Sequence, residues 1–223
     1  MFTSIKKSSF LLLLAIGSLI LSGCVKSTTV DEIHALLESV VELERPFEEQ
    51  QDPLVELEKD EKEIYSQIIA LGMKEFDKIV SLSNEALQIV EKRREHMELE
   101  EESIQASKNE FEKLIPLIDE LKDEELKKKA NELNETMMER YKTHDTLYDN
   151  YIKGLEYDTE LYQMFQKEDL SLEQLEGQIT KINETYKVVL DSNKTFNEYT
   201  KKYNDIKFEF YKQAGIEASE EKK

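Results

Sequence analysis

A stripe of residues spaced alternately three and four apart runs from Phe76 to Ile118, and it limits the possible folds more than any other pattern in the chain. This alternation is the heptad pattern of long helices that pack side by side, and it continues for about six repeats. Two further stripes run through residues 126–165 and 172–210. Six glycines and three prolines in 223 residues are too few turn formers for a many-stranded sandwich, barrel or propeller. The pattern therefore predicts an all-α protein.

The first part of the chain contains two helix-start signals. Thr29 with Glu32 fits a capping box, which predicts a helix over residues 30–45. Asp52 followed by Pro53 fits an N-cap and a first helical position, so we expect a second helix over residues 53–70. The first arm is therefore predicted to be two helices or one kinked helix.

The later helices are bounded by similar signals. Asp123 is expected to cap the third arm, and Ser171 with Gln174 forms another capping box before the fourth. Pro116 is expected to kink the end of the second arm, and Gly215 is expected to cap the C-terminus of the last helix. Arms of 40–48 residues would span roughly 60–70 Å at about 1.5 Å per residue.

The connections between these arms are short, which forces neighbouring arms to run antiparallel. The predicted fold is an elongated antiparallel up-and-down bundle of three to four long helices, either spectrin-like or four-helix. No linker rich in glycine, serine or proline divides it, so residues 30–215 are expected to form one domain. Residues 216–223 are expected to be a charged flexible tail.

Residues 1–23 have the layout of a signal peptide, with two lysines followed by an uncharged apolar stretch. This stretch ends in a motif that resembles the bacterial lipobox, and the motif contains the only cysteine of the chain: Leu21, Ser22, Gly23 and Cys24. The resemblance implies that Cys24 receives diacylglycerol and becomes the first residue after cleavage. Residues 24–29 would then be a lipidated tether, and two acyl chains suffice for stable membrane attachment.

The sequence lacks the residue patterns of known metal and catalytic sites. None of the three histidines, His34, His96 and His144, has a glutamate three residues before it, so a di-iron bundle site is not expected. Neither a nucleophile elbow nor a phosphate-binding glycine loop is present. The sequence therefore predicts no catalytic residues, no metal site, and no cofactor other than the diacylglycerol on Cys24.

Five polar residues fall on the predicted inward stripes near the middle of the bundle: Arg94, Glu101, Lys108, Arg140 and His144. They indicate a polar core layer that binds a ligand or fixes the register of the helices. The alternative is that their long side chains extend to water at the edge of a slender bundle.

The second half of the chain is rich in tyrosine, and the last helix has apolar residues beside its main stripe. Exposed aromatic side chains are enriched at binding surfaces. The predicted contact surface therefore comprises Tyr199, Tyr203, Ile206, Phe208 and Tyr211. The alternative is that the tyrosines fill the margins of the bundle and keep their hydroxyls in water.

With the lipobox at Leu21 to Cys24 and low-glycine, tyrosine-rich helices behind it, the chain resembles the YkyA-like cell-wall-binding lipoproteins of Gram-positive bacteria over nearly its whole length. The resemblance implies a helical bundle anchored at the extracytoplasmic face of the cell membrane, near the wall. Descriptions of this family sometimes include a hydrolase domain, but the motif search gives no support to hydrolysis. Only Cys24 is carried over as a functional residue.

Three functional hypotheses follow from these patterns. The first is a lipid-anchored binding or scaffold protein without catalysis, whose partner is peptidoglycan or a wall or membrane protein. The second is a structural spacer or oligomerising bundle, and the third is a cell-wall hydrolase with an unrecognised site. Cleavage would remove two lysines from a chain of formal charge −19 and leave −21. This charge disfavours nucleic acid, and also anionic wall polymers unless cations bridge the two.

Overall fold

The computed structural model describes residues 28–71 and 75–216, and the regular structure in these ranges is α-helical. Thr28 caps the first helix, and its side chain accepts a hydrogen bond from the backbone of Asp31. The capping box therefore begins one residue earlier than predicted. The helices are α1 (Thr29–Leu43), α2 (Arg45–Ala70), α3 (Phe76–Phe111), α4 (Leu114–Glu120), α5 (Glu124–Phe165) and α6 (Leu172–Ala214).

These helices form four long arms that run alternately up and down. The first arm is α1 with α2, the second is α3 with α4, and the third and fourth are α5 and α6. We call the end that contains Thr28 the near end, because the chain enters the bundle there. The opposite end contains Leu71 and the loop 166–171, and we call it the far end.

All four arms contribute to the core over its whole length. The hydrophobic cluster toward the near end includes Ile33, Phe111, Tyr141 and Phe210, one residue from each arm. The cluster toward the far end includes Ile64, Val90, Leu155 and Val189, again one from each arm. The protein is therefore an all-α bundle, as predicted, and four arms share its core.

The start of α2 corrects one prediction. The chain bends at Glu44, and α2 begins at Arg45, with Pro46 in its first turn. Proline is accepted there because the first backbone N–H groups of a helix have no partner within the helix. Pro53 instead lies inside α2, so the predicted helix start at Asp52 is wrong. The buried Leu54 follows Pro53 directly, and packing keeps this segment helical.

The other boundaries follow the local signals. Asp123 and Ser171 cap α5 and α6 with their side chains. Pro116 lies in the first turn of the short helix α4, where the second arm is interrupted as expected. Gly215 adopts the left-handed conformation with φ of 74° and ends α6. Ile216 then packs against the near-end cluster. The first residue of the predicted tail, 216–223, is therefore part of the bundle.

Candidate functional site

The structure places the polar core of α3 one residue away from the predicted stripe. The predicted residues on α3 are half-buried at the edge of the core: Arg94, Glu101 and Lys108. The polar residues that enter the core precede them: Arg93, Glu100 and Ser107. Val90, Met97 and Ile104 belong to both patterns, so the apolar residues do not distinguish the two registers.

The polar layer nearest the far end is centred on Arg93, whose side chain is 5% exposed. Its Nε donates to the Tyr151 hydroxyl at 3.0 Å, and its Nη2 donates to the Tyr186 hydroxyl at 3.0 Å. Its Nη1 donates to the Glu61 carboxylate and lies 3.4 Å from Asp158 Oδ2. Because these partners lie on α2, α5 and α6, one guanidinium connects all four arms.

This layer holds one cation between two buried carboxylates. Burial raises the pKa of Asp158 to about 7, and the charge of Glu61 acts in the same direction. Although burial disfavours a cation, the charges around Arg93 raise its pKa well above the ordinary value. Neither Glu61 nor Asp158 is among the polar residues predicted for the core. Asp158 lies three residues after Leu155 on the predicted stripe, a spacing that could have revealed it.

The middle polar layer surrounds His144, which is fully buried on α5. Its Nε2 lies 3.1 Å from Glu100 Oε1, and its Nδ1 lies 3.2 Å from Glu101 Oε2. Burial disfavours the imidazolium, but the hydrogen bond with Glu100 and the adjacent Glu101 carboxylate raise the pKa of His144 above its usual value. Beside this pair, Lys108 Nζ lies 3.3 Å from Asp145 Oδ2 at the surface.

The polar layer nearest the near end joins Arg140 to the bend in the first arm. Two guanidinium nitrogens of Arg140 donate to the two carboxylate oxygens of Glu44, both at 2.7 Å. Its Nε donates to Thr200 at 2.8 Å. Ser107 and Tyr141 share a hydrogen bond of 2.7 Å behind this pair. The bidentate geometry fixes the bend at Glu44 against α5.

The structure does not support the predicted contact surface on α6. Tyr203, Ile206 and Tyr211 are buried, and the Tyr211 hydroxyl donates to Glu38 at 2.8 Å. Tyr199 is half-buried, and Phe208 alone of the five is exposed, at 44%. The physical reason is spacing: Ile206 lies three residues after Tyr203 and four before Phe210, which is a core position. These aromatic residues hold the bundle together.

Concave surfaces are found at both ends of the bundle. At the near end, a polar groove of about 510 Å³ lies beside Lys127 and Lys128 at the start of α5. The far end has two clefts with more apolar walls. One cleft of about 250 Å³ lies between the ends of α2, α3, α5 and α6. Its walls include Phe165 and Leu175, and its rim includes the exposed Ile69 and Leu172. A second cleft of about 370 Å³ lies beside it, next to Gln174, Gln178 and Lys181. Lys167 and Leu170 line both clefts.

The four arms and their buried polar layers define an all-α, up-and-down helical-bundle protein. Within residues 28–71 and 75–216, no helix is both long and apolar enough to cross a bilayer. A family model described as "YkyA: Putative cell-wall binding lipoprotein" matches residues 28–213. The chain therefore belongs to the YkyA family of lipoproteins.

Two known proteins resemble this chain over most of its length. The "Uncharacterized lipoprotein YkyA" of Bacillus subtilis (strain 168) is 39% identical over 198 residues, which cover 89% of each chain. A solved structure from Staphylococcus aureus, described as a conserved protein of unknown function, is 16% identical with a TM-score of 0.63. It covers 84% of this chain and 98% of its own, and at this identity it shows the fold alone.

These comparisons bear on the functional hypotheses at a coarse level. Both lipoprotein descriptions agree with the predicted class, and neither names a catalytic activity. The signal peptide and the lipobox residues Leu21, Ser22, Gly23 and Cys24 lie outside the described residues. Lipidation of Cys24 therefore stays a prediction.

Proposed function

We propose that this protein is a lipid-anchored, non-catalytic binding protein that stands on the outer face of the cell membrane and presents its far end to the wall. The anchor is the diacylglycerol predicted on Cys24, which precedes the start of the bundle at Thr28 by only four residues. Helix α5 has 42 residues and spans about 63 Å at about 1.5 Å per residue. The two far-end clefts thus lie about 60 Å from the near end, where the described chain begins at Thr28, and this separation is the observation on which the proposal rests.

The chemistry of the far end favours a ligand with both apolar and carboxylate groups. The walls of the smaller cleft are mostly aliphatic and aromatic, and such surfaces accept apolar side chains. Lys167 borders both clefts and offers an ammonium group to a carboxylate. The short peptides of peptidoglycan contain both kinds of group, so peptidoglycan is the partner that we propose.

Co-sedimentation with purified wall sacculi, from which anionic polymers have been removed, tests this function. The chain from Val25 onward is suitable, because residues 28–216 contain the whole described core. We expect the wild type to sediment with the sacculi and Ile69→Ser together with Leu172→Ser to reduce the bound fraction several-fold. Ile115→Ser is the matched control, because Ile115 is 52% exposed at the near end and Ile69 is 51% exposed at the far end.

The results distinguish this function from its alternatives. Equal retention of the far-end and near-end variants would contradict a binding site at the far end. Absence of retention for the wild type would contradict wall binding and would favour a protein partner. Activity on clean sacculi that a point mutation abolishes would favour the hydrolase alternative.

A second candidate function is an oligomerising spacer, and one observation favours it. Leu190 on α6 is 70% exposed, the largest exposure among the large apolar side chains of the described residues. Exposed apolar residues on one helix are a means of pairing with a second helix. Sedimentation velocity over a range of concentrations should then show self-association that Leu190→Lys abolishes, whereas a strictly monomeric protein would exclude this function.

A further inference from the structure

The middle polar layer contains two buried polar atoms that face each other without a hydrogen bond. His144 Nδ1 lies 3.2 Å from Glu101 Oε2, and neither atom has a hydrogen-bond partner among the described residues. On the other side of the ring, His144 Nε2 lies 3.1 Å from Glu100 Oε1. A carboxylate at one ring nitrogen fixes the proton there and directs the lone pair of the other nitrogen outward, as in many metal-binding histidines. In the neutral ring with its proton on Nε2, the lone pair of Nδ1 points at Glu101, and a bound cation would take the place of the second proton of the imidazolium between the two groups.

A third ligand lies next to this pair. Ligand atoms of Glu101, His144 and Asp145 all lie within 4.8 Å of one another. Two ligands bound to a zinc ion at about 2.0–2.1 Å with tetrahedral angles are separated by roughly 3.3 Å. The observed 3.2 Å between Nδ1 and Oε2 therefore matches the edge of a zinc coordination tetrahedron.

The charges of this cluster also suit a divalent cation. When the cation has displaced the proton from Nδ1, His144 is neutral, and the two carboxylates of Glu101 and Asp145 supply a charge of −2 between α3 and α5. One imidazole nitrogen with two carboxylate oxygens is a donor set typical of first-row divalent metals such as Zn²⁺. The side chain of Asp145 is 40% exposed, which leaves a path from solvent.

From this geometry we infer that Glu101, His144 and Asp145 form a binding site for a first-row divalent cation, represented by Zn²⁺, that links α3 to α5 in the middle of the bundle. Glu100 is a positioning residue that orients the imidazole. Lys108 opposes the metal, because its ammonium pairs with Asp145 at 3.3 Å. The open fourth position of the ion would be filled by water.

Isothermal titration of the chain from Val25 onward with ZnCl₂ alone tests the site. We expect one Zn²⁺ per chain and an increase in the melting temperature, because the ion binds the folded state. Glu101→Gln should weaken binding by about tenfold or more, the scale on which metal sites respond to the loss of a supporting group. Glu102→Gln is the matched control, since Glu102 is the exposed neighbour in the same helix.

Two further variants should change the affinity in opposite directions. Asp145→Asn removes a ligand and should weaken binding, whereas Lys108→Met removes the competing ammonium and should strengthen it several-fold. In ¹⁵N spectra of labelled histidine, Zn²⁺ should shift Nδ1 of His144 and leave Nε2 bound to its proton. Circular dichroism of each variant checks that the fold is intact.

Three results would overturn the site. One is the absence of stoichiometric binding to the wild type. Another is equal affinity in Glu101→Gln and Glu102→Gln, because that would indicate diffuse binding to surface carboxylates. The third is Zn²⁺ binding without any change in the His144 ring signals, and in that case an imidazolium between two glutamates describes the layer.

Discussion

At the residue scale, Gly154 shows how a polar layer restricts its neighbours. A Cβ added at Gly154 would lie 2.8 Å from Cζ of Tyr186, whose hydroxyl bonds to Arg93 and Asp158 and prevents the ring from moving away. We expect Gly154→Ala to destabilise the protein by about 1–3 kcal/mol, as overpacked cores do. Gly177→Ala is the control, because no atom lies within 4 Å of its added Cβ. Helix propensity should make this variant neutral or more stable by up to about 1 kcal/mol, as urea unfolding will test.

Asp158 gives the stability of the bundle a pH dependence of known sign. Its pKa is raised from 3.8 to about 7 by burial, so the folded state binds a proton that the unfolded state releases. The stabilisation of the folded state by this proton is fully present below about pH 4 and is lost as the pH rises to about 7. Asp158→Asn keeps an oxygen acceptor but cannot ionise. Its stability relative to wild type should therefore increase between pH 4 and pH 8.

The size of this change follows from the pKa shift. One pKa unit corresponds to about 1.4 kcal/mol. Between pH 4 and pH 8, the free energy of unfolding of Asp158→Asn should therefore rise relative to that of the wild type by roughly 3–4 kcal/mol. Urea unfolding of both proteins at each pH measures it, and the comparison cancels the titration of the other carboxylates. A difference between variant and wild type that stays constant from pH 4 to pH 8 would contradict the assigned shift.

At the scale of one element, two adjacent arginines test the register of α3. Arg93→Met leaves Glu61 and Asp158 buried without their cation, and such a loss typically costs about 3–5 kcal/mol. Arg94 is half-buried and lies 3.8 Å from Glu91 in the same helix, so Arg94→Met should cost less than about 1 kcal/mol. Chemical denaturation of the two variants compares them directly. A larger loss of stability in Arg94→Met than in Arg93→Met would show that α3 is rotated so that Arg94 faces the core, as the stripe predicted.

The same helix shows how far sequence patterns can be followed. The existence and length of α3 follow from apolar residues such as Val90, Met97 and Ile104, which recur every seven residues. Between them, both Arg93 and Arg94 are polar, so hydrophobicity does not decide which one turns inward. The choice depends on partners such as Glu61, which belongs to another arm. Local patterns therefore predict the helix but not its rotation.

At the scale of the whole molecule, the up-and-down order of the arms could be predicted from the sequence. It depends on short connections between the arms and on the small number of glycines and prolines that could interrupt a helix. The bend at Glu44 could not be predicted, because the salt bridge with Arg140 joins residues that are 96 positions apart. Burial of three of the five residues of the predicted contact surface could not be predicted for a related reason. Aromatic residues such as Tyr203 and Tyr211 suit either a binding face or the wide core of a bundle, and the packing of four arms buries them. The far-end clefts are formed by four separate segments, so no local motif marks them.

The claim that the far end reaches the wall can be tested in living cells with the chain that includes the predicted lipobox. A photoreactive amino acid replaces either Ile69 at the far end or Ile115 at the near end, and peptidoglycan fragments bound to the protein are measured after irradiation. We expect cross-linked wall fragments at position 69 and few or none at position 115, since the two positions lie at opposite ends of a bundle about 60 Å long. Equal cross-linking at both positions, or wall fragments at position 115 alone, would contradict it.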